Sequence, residues 1–550
     1  MAPAAPSRRV VPLRGRKARW LLVLGLVLGG NRPPPVALAD DGDPAPAPAG
    51  PAVPSAEAQQ ARTELDEAIA VQTKRQYLSA RKKLREWLER WPNADAAWRQ
   101  EAEERYGDNA FLGMEEIHHG GPSENRIDVE LMGDGYLLSQ QDTFRKQAED
   151  QLKEFWREPL YDEYGSYFNV WRFDLASKEE GVDEVARPGA DAPDPRKKRK
   201  KRPLKEYTTA LECQAAGPQN QVWADPDMVF RWRRYLKVSD GLSICFAKKG
   251  ELGMGGMGIA TTGRRVAVVH EFGHAFIGLL DEYANNPNMP PGHVAARNAI
   301  SGNGPKDPPD PDKIPWKHWL DAKNPEVGVF LGGATYQQGV FRPATSCAMN
   351  SGGGSPLCWV CREAGILRIY EYVSPIDEAL PAEAMVVLPS GERREFSVVP
   401  MAPRSHRLET DWFLEKRKAR TVTKGDDEPE GGAAPEPPAP EPAPGADDPA
   451  RPIALNPDGW SRGPVRGLAR HAAPWPPGPP RGDPLEVHEK KGAGMAYRSS
   501  VVLEKLPAGS YRLTARVRDD TRLPQAKFPW VLRDPDKILE ERHVWDVEVR

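Results

Sequence analysis

The chain is 550 residues long, which leaves room for two or three domains. Its 57 prolines and its hydrophobic content of only 39% indicate that several stretches do not belong to a compact core. A formal net charge of −3 excludes a general electrostatic attraction to nucleic acid, so we expect no nucleic-acid partner.

The N-terminus has the parts of an export signal. Basic residues precede an apolar run from Trp20 to Gly30, and Ala37-Leu-Ala39 offers a small-residue cleavage site. This run is too short to span a bilayer, which needs about twenty residues. We therefore expect residues 1–39 to be a signal peptide, and the mature chain to be secreted, periplasmic or in the cell envelope without stable membrane insertion. A retained signal anchor is the alternative.

A linker and a helical segment are predicted next. Residues 40–55 are rich in Pro and Ala, which is typical of an extended tether. Residues 56–124 begin with apolar side chains near helical spacing as far as Trp91, where Pro92 ends the pattern. A second helix is predicted from Asp95 to Tyr106. We expect a helical hairpin that packs on the domain after it.

The central domain is predicted to span residues 125–375. Apolar stretches at 127–132 and 168–175 are typical of strands, and a helix is expected between them. This strand–helix–strand order favours an α/β (α+β) domain. Residues 184–205 form an insertion whose basic block, Arg196–Arg202, is typical of a solvated loop.

A glycine-rich stretch precedes the main motif. Its glycines are Gly250, Gly253, Gly255, Gly256 and Gly258. No Lys-Ser/Thr pair follows them, so the stretch is not a phosphate-binding loop. Glycines at these positions would let a peptide backbone approach closely and pair along an edge strand, and a flexible loop is the alternative.

The stretch His270-Glu-Phe-Gly-His274 carries the strongest chemical signal. Residues four apart lie on one face of a helix, so His270 and His274 can bind the same ion. Glu271 stands beside that face, where a carboxylate can take a proton from the attacking water. The pattern predicts one catalytic Zn²⁺. Two hydrogen-bonded core histidines are the alternative.

A catalytic zinc usually has three protein ligands and keeps one position for water. Asp281 follows His274 too far along a straight helix to share an ion, at about 1.5 Å rise per residue. The chain must therefore turn back, and Gly278 stands where such a turn can occur. Asp281 is the predicted third ligand, Glu282 is the alternative, and His318 is a further candidate.

Three residues beyond the motif are candidates for supporting roles. Tyr336 could hydrogen-bond the oxyanion of a tetrahedral intermediate, and Arg342 could hold a substrate carbonyl or carboxylate. Met349 stands in a short turn that could form a floor beneath the metal, as a Met-turn does. Ordinary packing is the alternative for all three.

The cysteines are Cys213, Cys245, Cys347, Cys358 and Cys361. Disulfides are allowed in an exported protein. We expect one or two, with Cys213–Cys245 as one possible pair and Cys347 bonded to Cys358 or Cys361. A structural zinc site is disfavoured, because the chain has only one Cys-x-x-Cys motif.

Several motifs in a fixed order resemble the bacterial IgA-specific metalloendopeptidases, a family of zinc peptidases. They are residues 125–136, 167–170 and 177–183, the zinc helix with Asp281-Glu282-Tyr283, Arg342-Pro343, Cys347-Ala-Met349 and residues 357–364. The order His-Glu-x-x-His-x-x-x-Gly-x-x-Asp also resembles the metzincin pattern, with one extra residue before the glycine.

The resemblance covers roughly residues 125–375 and implies a zincin-like domain. It implies zinc on His270, His274 and Asp281, and Glu271 as general base. It does not imply immunoglobulin A as the substrate. We expect a secreted zinc-dependent metalloendopeptidase that acts on protein or peptide substrates. The alternatives are a zinc hydrolase of another amide, such as cell-wall peptides, and a catalytically silent binding protein.

The C-terminal region, residues 376–550, changes character. Short apolar runs between turns predict strands at residues 384–388, 394–399, 501–503 and 511–517. They favour a β-sandwich. Residues 426–452 are rich in Pro, Ala and Glu and predict a disordered insertion.

Overall fold

The computed structural model describes most of the chain after the linker. The described residues are 56–73, 77–107, 110–185, 205–216, 221–263, 268–351, 354–417, 483–485, 487–491 and 496–550. The predicted signal peptide, the linker, the basic block and the Pro-rich insertion lie outside them. None of the helices in these ranges combines the length and the hydropathy that crossing a membrane requires.

The chain is mixed α/β, with about ten helices and several sheets in its described part. The helices are α1 (Ala56–Thr73), α2 (Tyr77–Arg90), α3 (Ala96–Gly107), α4 (Gln141–Phe155), α5 (Pro159–Glu163), α6 (Pro226–Arg233), α7 (Val268–Phe272), α8 (Lys317–Asp321), α9 (Ala348–Ser351) and α10 (Trp359–Tyr372).

The strands of the first half are β1 (Phe111–His118), β2 (Ile127–Asp134), β3 (Phe168–Leu175), β4 (Asp183–Val185), β5 (Gln214–Ala216), β6 (Gln221–Trp223), β7 (Leu242–Ala247), β8 (Met254–Gly256), β9 (Ile259–Thr262), β10 (Ala284–Asn286), β11 (Ala295–Ala296), β12 (Ala299–Ser301), β13 (Phe330–Gly333) and β14 (Thr335–Arg342). Those of the second half are β15 (Ile376–Leu380), β16 (Met385–Leu388), β17 (Arg394–Pro400), β18 (Glu409–Lys416), β19 (Asp483–Pro484), β20 (His488–Lys491), β21 (Tyr497–Leu503), β22 (Gly509–Arg518) and β23 (Glu540–Val549).

A six-stranded sheet in the order β1-β3-β2-β7-β9-β8 organises the first half. Its four inner strands run parallel, and the outer strands β1 and β8 run antiparallel to their neighbours. Strands β2 and β3 are buried along their whole length, as parallel strands covered on both faces are. The sequence prediction for β3 agrees with the structure, and β2 extends two residues beyond its prediction, to Asp134.

The helical segment ends earlier than the sequence suggests. We expected residues 56–124 to be helical, but residues 111–118 form β1, which pairs with β3. Phe111 is buried at the start of this strand and stacks on Tyr235, with 4.2 Å between ring centroids. The sheet therefore begins before Asn125, because β1 is stabilised by partners distant in the sequence.

The second half contains two sheets. One has the order β15-β17-β21-β20, and the other has the order β16-β23-β22-β18-β19. Trp412 in the second sheet stacks on Trp545, with 5.7 Å between ring centroids, and donates a hydrogen bond to Ser499 in the first sheet. All four runs predicted as strands coincide with strands of these sheets.

A buried ionic cluster joins the two halves. His406 Nδ1 contacts Glu163 Oε1 at 2.8 Å, and its Nε2 contacts Asp519 Oδ1 at 2.8 Å. Tyr164 and Tyr370 each donate a hydrogen bond to the other Asp519 oxygen. Burial lowers the pKa of His406, but the two carboxylates outweigh that effect and raise it to about 9. The charged imidazolium therefore bridges an acid from each half.

We expect His406→Ala to lower the free energy of unfolding by about 3–5 kcal/mol near neutral pH, because two buried carboxylates lose their cation. The folded-state pKa of about 9 lies above the unfolded value of about 6.5. The stabilisation by His406 is thus complete below about pH 6.5 and is lost as the pH rises through about 9. Denaturation of the wild type and of His406→Ala at several pH values between these limits should show their difference in the free energy of unfolding becoming smaller as the pH rises.

His543→Gln provides the matched control. His543 Nε2 is buried without a hydrogen-bond partner, and burial lowers the pKa of this histidine. It is therefore neutral in both states above about pH 6.5, and the effect of its replacement should not change with alkaline pH. A stability difference for His406→Ala that stays constant across the same range would contradict the charged bridge.

Candidate metal centre

The main motif spans a change of helix type. His270 lies in α7, which continues as a π-helical turn, Gly273–Ile277, that carries His274. Such turns are rare and are frequently found at functional sites. Gly278 ends the turn with φ +76°, a left-handed conformation that glycine adopts without steric cost. The chain reverses there, as the sequence predicts, and returns toward the histidines.

Backbone hydrogen bonds fix the segment that returns. The amide of Ala334 donates to Asp281 O at 2.6 Å, and the amide of Thr335 donates to Tyr283 O at 3.1 Å. The Glu282 amide donates to Met349 O at 2.8 Å. Residues 281–283 are therefore held between the start of β14 and the short helix α9.

Three side-chain atoms converge at this turn. His270 Nε2 and His274 Nε2 are 3.2 Å apart, and Asp281 Oδ1 lies 3.0 Å from the first and 3.1 Å from the second. Ligands about 2.0–2.1 Å from a tetrahedral zinc stand about 3.3 Å from one another. The spacing of the three atoms therefore fits a shared metal ion.

The tautomers of the two histidines are set by backbone carbonyls. His270 Nδ1 lies 2.9 Å from Ala348 O, and His274 Nδ1 lies 2.6 Å from Leu279 O. Because a carbonyl can only accept, each Nδ1 carries the proton, and each neutral ring presents an Nε2 lone pair to Asp281. Three acceptors facing one another require a cation between them, either protons or a metal ion.

The pKa shifts of His270 and Asp281 also indicate that this group requires a positive charge. Burial lowers the pKa of His270, but its hydrogen bond to Asp281 and the charge of Glu271 outweigh burial and raise it to about 9. Burial raises the pKa of Asp281, but the two imidazoles outweigh burial and hold it well below its usual range. A positive charge in this group is strongly favoured, so a metal ion must displace protons to bind.

Glu271 is buried beside the histidines without belonging to the converging group. One carboxylate oxygen of Glu271, one nitrogen of His270 and one nitrogen of His274 all lie within 4.8 Å of one another. Burial raises the pKa of Glu271, while the imidazoles act in the opposite direction. A buried carboxylate with a raised pKa next to a metal group is suited to exchanging protons.

The glycine-rich stretch packs directly on the motif. A Cβ at Gly253 would lie 2.7 Å from Glu271 Cγ, and a Cβ at Gly255 would lie 2.1 Å from Glu271 O and 2.9 Å from His274 Cβ. Both glycines border or belong to β8, the terminal strand of the sheet. The strand can pass beside the candidate site because these two positions lack side chains.

We expect Gly255→Ala to lower the free energy of unfolding by about 1–3 kcal/mol and to weaken divalent-metal binding. The added Cβ would overlap the Glu271 carbonyl, so β8 or α7 must move. Gly256→Ala is the matched control, because no atom lies within 4 Å of a Cβ there. Denaturation and metal titration of both variants test this close approach, and equal effects of the two substitutions would contradict it.

Met349 lies under the motif. It is fully buried in α9, and its Sδ would lie 2.8 Å from a Cβ at Gly273. The neighbouring residue, Ala348, supplies the carbonyl that orients His270. α9 therefore provides both a packing surface beneath the π-helical turn and a hydrogen bond to one candidate ligand.

Other candidate residues are placed elsewhere. Glu282 points to a group of cysteines rather than to the histidines. His318 Nε2 is 2.6 Å from Glu363 Oε2, so it is not a third ligand. Arg342 binds the carbonyls of Leu331, Gly332 and Ala344, which engages its guanidinium with the backbone of the protein itself. A role for Arg342 in holding substrate is therefore not supported by this geometry.

Tyr336 lies in β14, where it pairs with Asn286 of β10. In the described part of the chain, no hydrogen bond joins its hydroxyl to the histidines or to Asp281. The structure instead places Tyr283 beside them, a residue that sequence reasoning did not assign a role. Its ring stacks on His270 with 6.2 Å between centroids, and burial followed by the charge of Asp281 raises its pKa.

The predicted disulfides are absent. All five cysteines, which lie in the described ranges, are free thiols. Cys213 and Cys245 are buried in the same core cluster, and Cys347, Cys358 and Cys361 surround Glu282. The expectation of bridges assumed that cysteines in an exported protein pair with one another, whereas here three of them share a carboxylate.

Comparison with known proteins gives one finding. A search of curated proteins yields no match to the chain. The family model described as IgA Peptidase M64 matches residues 115–192, which include the second half of β1 and all of β2, α4 and β3. The matched part precedes the candidate metal centre in the sequence and supplies β2, β3 and half of β1 to the six-stranded sheet. This likeness supports a metallopeptidase of the IgA peptidase type.

Proposed function

We propose that the chain is a zinc-dependent metalloendopeptidase that hydrolyses peptide bonds in protein or peptide substrates. The observation that carries the proposal is the convergence of His270 Nε2, His274 Nε2 and Asp281 Oδ1 at 3.0–3.2 Å, with both imidazoles held by carbonyls. Two histidines and a carboxylate that leave a position open are a ligand set of catalytic zinc. The family likeness of residues 115–192 supports the same class.

The fold supports the proposal of a zincin-like catalytic domain. A parallel sheet ends in the antiparallel strand β8, and α7 lies beside that strand. Gly253 and Gly255, at this end of the sheet, pack against Glu271 and His274. Met254, the first residue of this strand, and Met257, which directly follows it, are exposed. We infer that an extended substrate backbone lies along β8. The two C-terminal sheets are interpreted as a β-sandwich that supports the catalytic half.

Zinc at this position would polarise the substrate carbonyl and lower the pKa of the attacking water from about 15.7 toward 7. Glu271 accepts the proton of that water and later delivers it to the leaving amine. Asp281, His270 and His274 would hold the cation, while the Ala348 and Leu279 carbonyls keep both rings in the required tautomer. Met349 supports the π-helical turn from below.

The location is part of the proposal. We propose that residues 1–39 direct export and that the mature enzyme acts outside the cytoplasm, in the medium, the periplasm or the cell envelope. The apolar run followed by a small-residue cleavage site supports this. N-terminal sequencing of the exported protein would show whether it begins near Asp40.

Metal analysis combined with identification of cleavage sites tests the function. The purified mature chain should contain zinc, cut an unfolded protein such as casein, lose this activity when zinc is chelated and regain it when zinc returns. Mass spectrometry of the products should show new peptide termini. Undiminished cleavage after complete zinc removal would overturn the proposal, and hydrolysis restricted to non-protein amides would favour the other hydrolase class.

A further inference from the structure

A second group of metal-binding atoms lies behind the candidate site. It comprises Glu282, Cys347, Cys358 and Cys361, whose ligand atoms all lie within 4.8 Å of one another. Cys361 Sγ lies 3.0 Å and Cys358 Sγ 3.8 Å from Glu282 Oε1. Glu282, Cys347 and Cys361 are essentially or fully buried, and Cys358 is half-buried. We call these four residues the thiol–carboxylate cluster.

Three separate segments supply the cluster. Glu282 belongs to the stretch that returns after Gly278, Cys347 directly precedes α9, and the other two cysteines lie at the start of α10. The two on α10 form the sequence Cys358-Trp-Val-Cys361, and this spacing lets two thiols reach one ion. On sequence alone a structural zinc site is disfavoured, because the chain has only one Cys-x-x-Cys motif. The other two candidate ligands come from separate segments, which a motif search does not detect.

The hydrogen bonding of Glu282 is incomplete without a cation. Its Oε1 accepts from Asn298 Nδ2 at 3.2 Å, but its Oε2 is buried and has no hydrogen-bond partner. In the described part of the chain, no lysine or arginine forms an ion pair with it. Burial raises the pKa of Glu282 to about 8, which reflects the cost of a negative charge there. An unpaired buried carboxyl oxygen is destabilising, and a bound cation would supply its missing partner.

The surroundings of Cys347 favour a thiolate. The Cys358 amide donates to Cys347 Sγ at 3.3 Å. Hydrogen bonds from Cys358 and Cys361 outweigh burial and lower the pKa of Cys347 well below its ordinary value, while burial and the same hydrogen bonds raise the pKa of Cys358 and of Cys361. A thiolate is the form of cysteine that binds metals. A disulfide would require two sulfurs at about 2.05 Å and would leave the third thiol and the carboxyl without a partner.

We propose that Glu282, Cys347, Cys358 and Cys361 form a second, closed site for a thiophilic divalent cation, with zinc as the best match. Four protein ligands that include cysteines are typical of structural zinc sites, whereas the histidine site offers three ligands and an open position. Sulfurs about 2.3 Å from zinc stand about 3.8 Å apart, and the four ligand atoms of the cluster all lie within 4.8 Å of one another.

The position of the cluster gives it a role in holding the catalytic residues. Glu282 is the neighbour of Asp281, and Cys347 is the neighbour of Ala348, whose carbonyl orients His270. An ion bound by the cluster would fasten these two backbone segments to α10. The four residues are positioning residues, because they lie behind the histidine site.

The experiment uses the full mature chain produced with Co²⁺ in place of Zn²⁺. We expect about two metal ions per chain and a thiolate-to-cobalt charge-transfer band in the near ultraviolet. The band should persist in His270→Ala, which disrupts only the histidine site, and disappear in Cys361→Ala. Each of these variants should bind about one ion.

Cys245→Ala is the matched control, because it removes a buried thiol outside the cluster and should retain both the band and the second ion. Wild-type protein with a single ion and no charge-transfer band would overturn the proposal even if Cys361→Ala fails to fold. So would a disulfide between any two of the three cluster cysteines in the denatured, chelator-treated wild type. A wild type that shows the band but does not cleave peptides would contradict the proposed function and leave the second site standing.

Discussion

Replacing Glu271 by Gln should lower the rate of peptide-bond cleavage by at least about 10²-fold while leaving zinc bound. Gln has nearly the same shape as Glu, so the packing against Gly253 and Gly255 is kept. The amide cannot accept a proton from water or return it to the leaving amine. Zinc should stay because the converging atoms come from His270, His274 and Asp281 rather than from this side chain.

The measurement compares kcat and KM on one peptide substrate, together with zinc content. The loss should fall on kcat, because proton transfer belongs to the transition state rather than to substrate binding. Glu392→Gln is the control, since Glu392 is exposed in the turn between β16 and β17. A Glu271→Gln protein that cleaves at the wild-type rate would refute the general-base role, and one that has lost zinc would show that Glu271 holds the metal.

The parts of the fold that sequence predicts are those set by local patterns. Strands β2 and β3 are apolar on both faces, and the C-terminal strands stand between turns, so their residues indicate strands without knowledge of partners. Strand β1 was expected to belong to a helical segment, because its burial depends on β3 and on Tyr235. Partners of this kind are not visible in a short window of sequence.

The candidate site also has features that local sequence predicts and features that depend on distant partners. The i, i+4 spacing of His270 and His274 and the left-handed Gly278 are local features, and they are sufficient to predict that the chain turns back at this point. Asp281 and Glu282 could not be separated by sequence, because adjacent residues point in different directions according to how the segment crosses its neighbours. In the structure the Met349 carbonyl and the Ala334 amide decide that direction.

The cysteines illustrate the same limit more strongly. Composition and the expected export argue for disulfides, but the geometry around Glu282 depends on three segments meeting behind the histidine site. The sequence predicts Cys347 beside Cys358 or Cys361 as a disulfide partner, and only the tertiary fold shows that the three stay free thiols and that Glu282 lies among them. Glu282 and these three cysteines thus belong to one cluster, and the disulfides that the sequence predicted are absent from it.

Asp281→Ala should weaken zinc binding by at least about 10²-fold and remove activity in proportion. Residues that only hydrogen-bond a metal ligand typically contribute 10–100-fold to the affinity for the metal. Asp281 is proposed as a ligand itself, because its Oδ1 lies 3.0–3.1 Å from both Nε2 atoms, so its removal should have at least as large an effect. Excess zinc should restore part of the activity, in contrast to Glu271→Gln, whose defect does not depend on zinc concentration. Asp142→Ala is the control, because the Asp142 side chain is 99% exposed.

Nuclear magnetic resonance titration of the metal-free proteins gives this prediction a readout that general destabilisation would not produce. The Asp281 hydrogen bond is the largest effect that raises the pKa of His270 to about 9, against burial, which lowers it. Asp281→Ala should therefore bring this pKa down toward or below about 6.5. The His406 imidazolium, held by Glu163 and Asp519, should titrate unchanged in the same spectra. If the pKa of His270 stays near 9 in the variant, Asp281 is not the group facing the histidines in solution. Its assignment as the third ligand would then fail, because the same convergence accounts for both the proton affinity of the site and its fit to a metal ion.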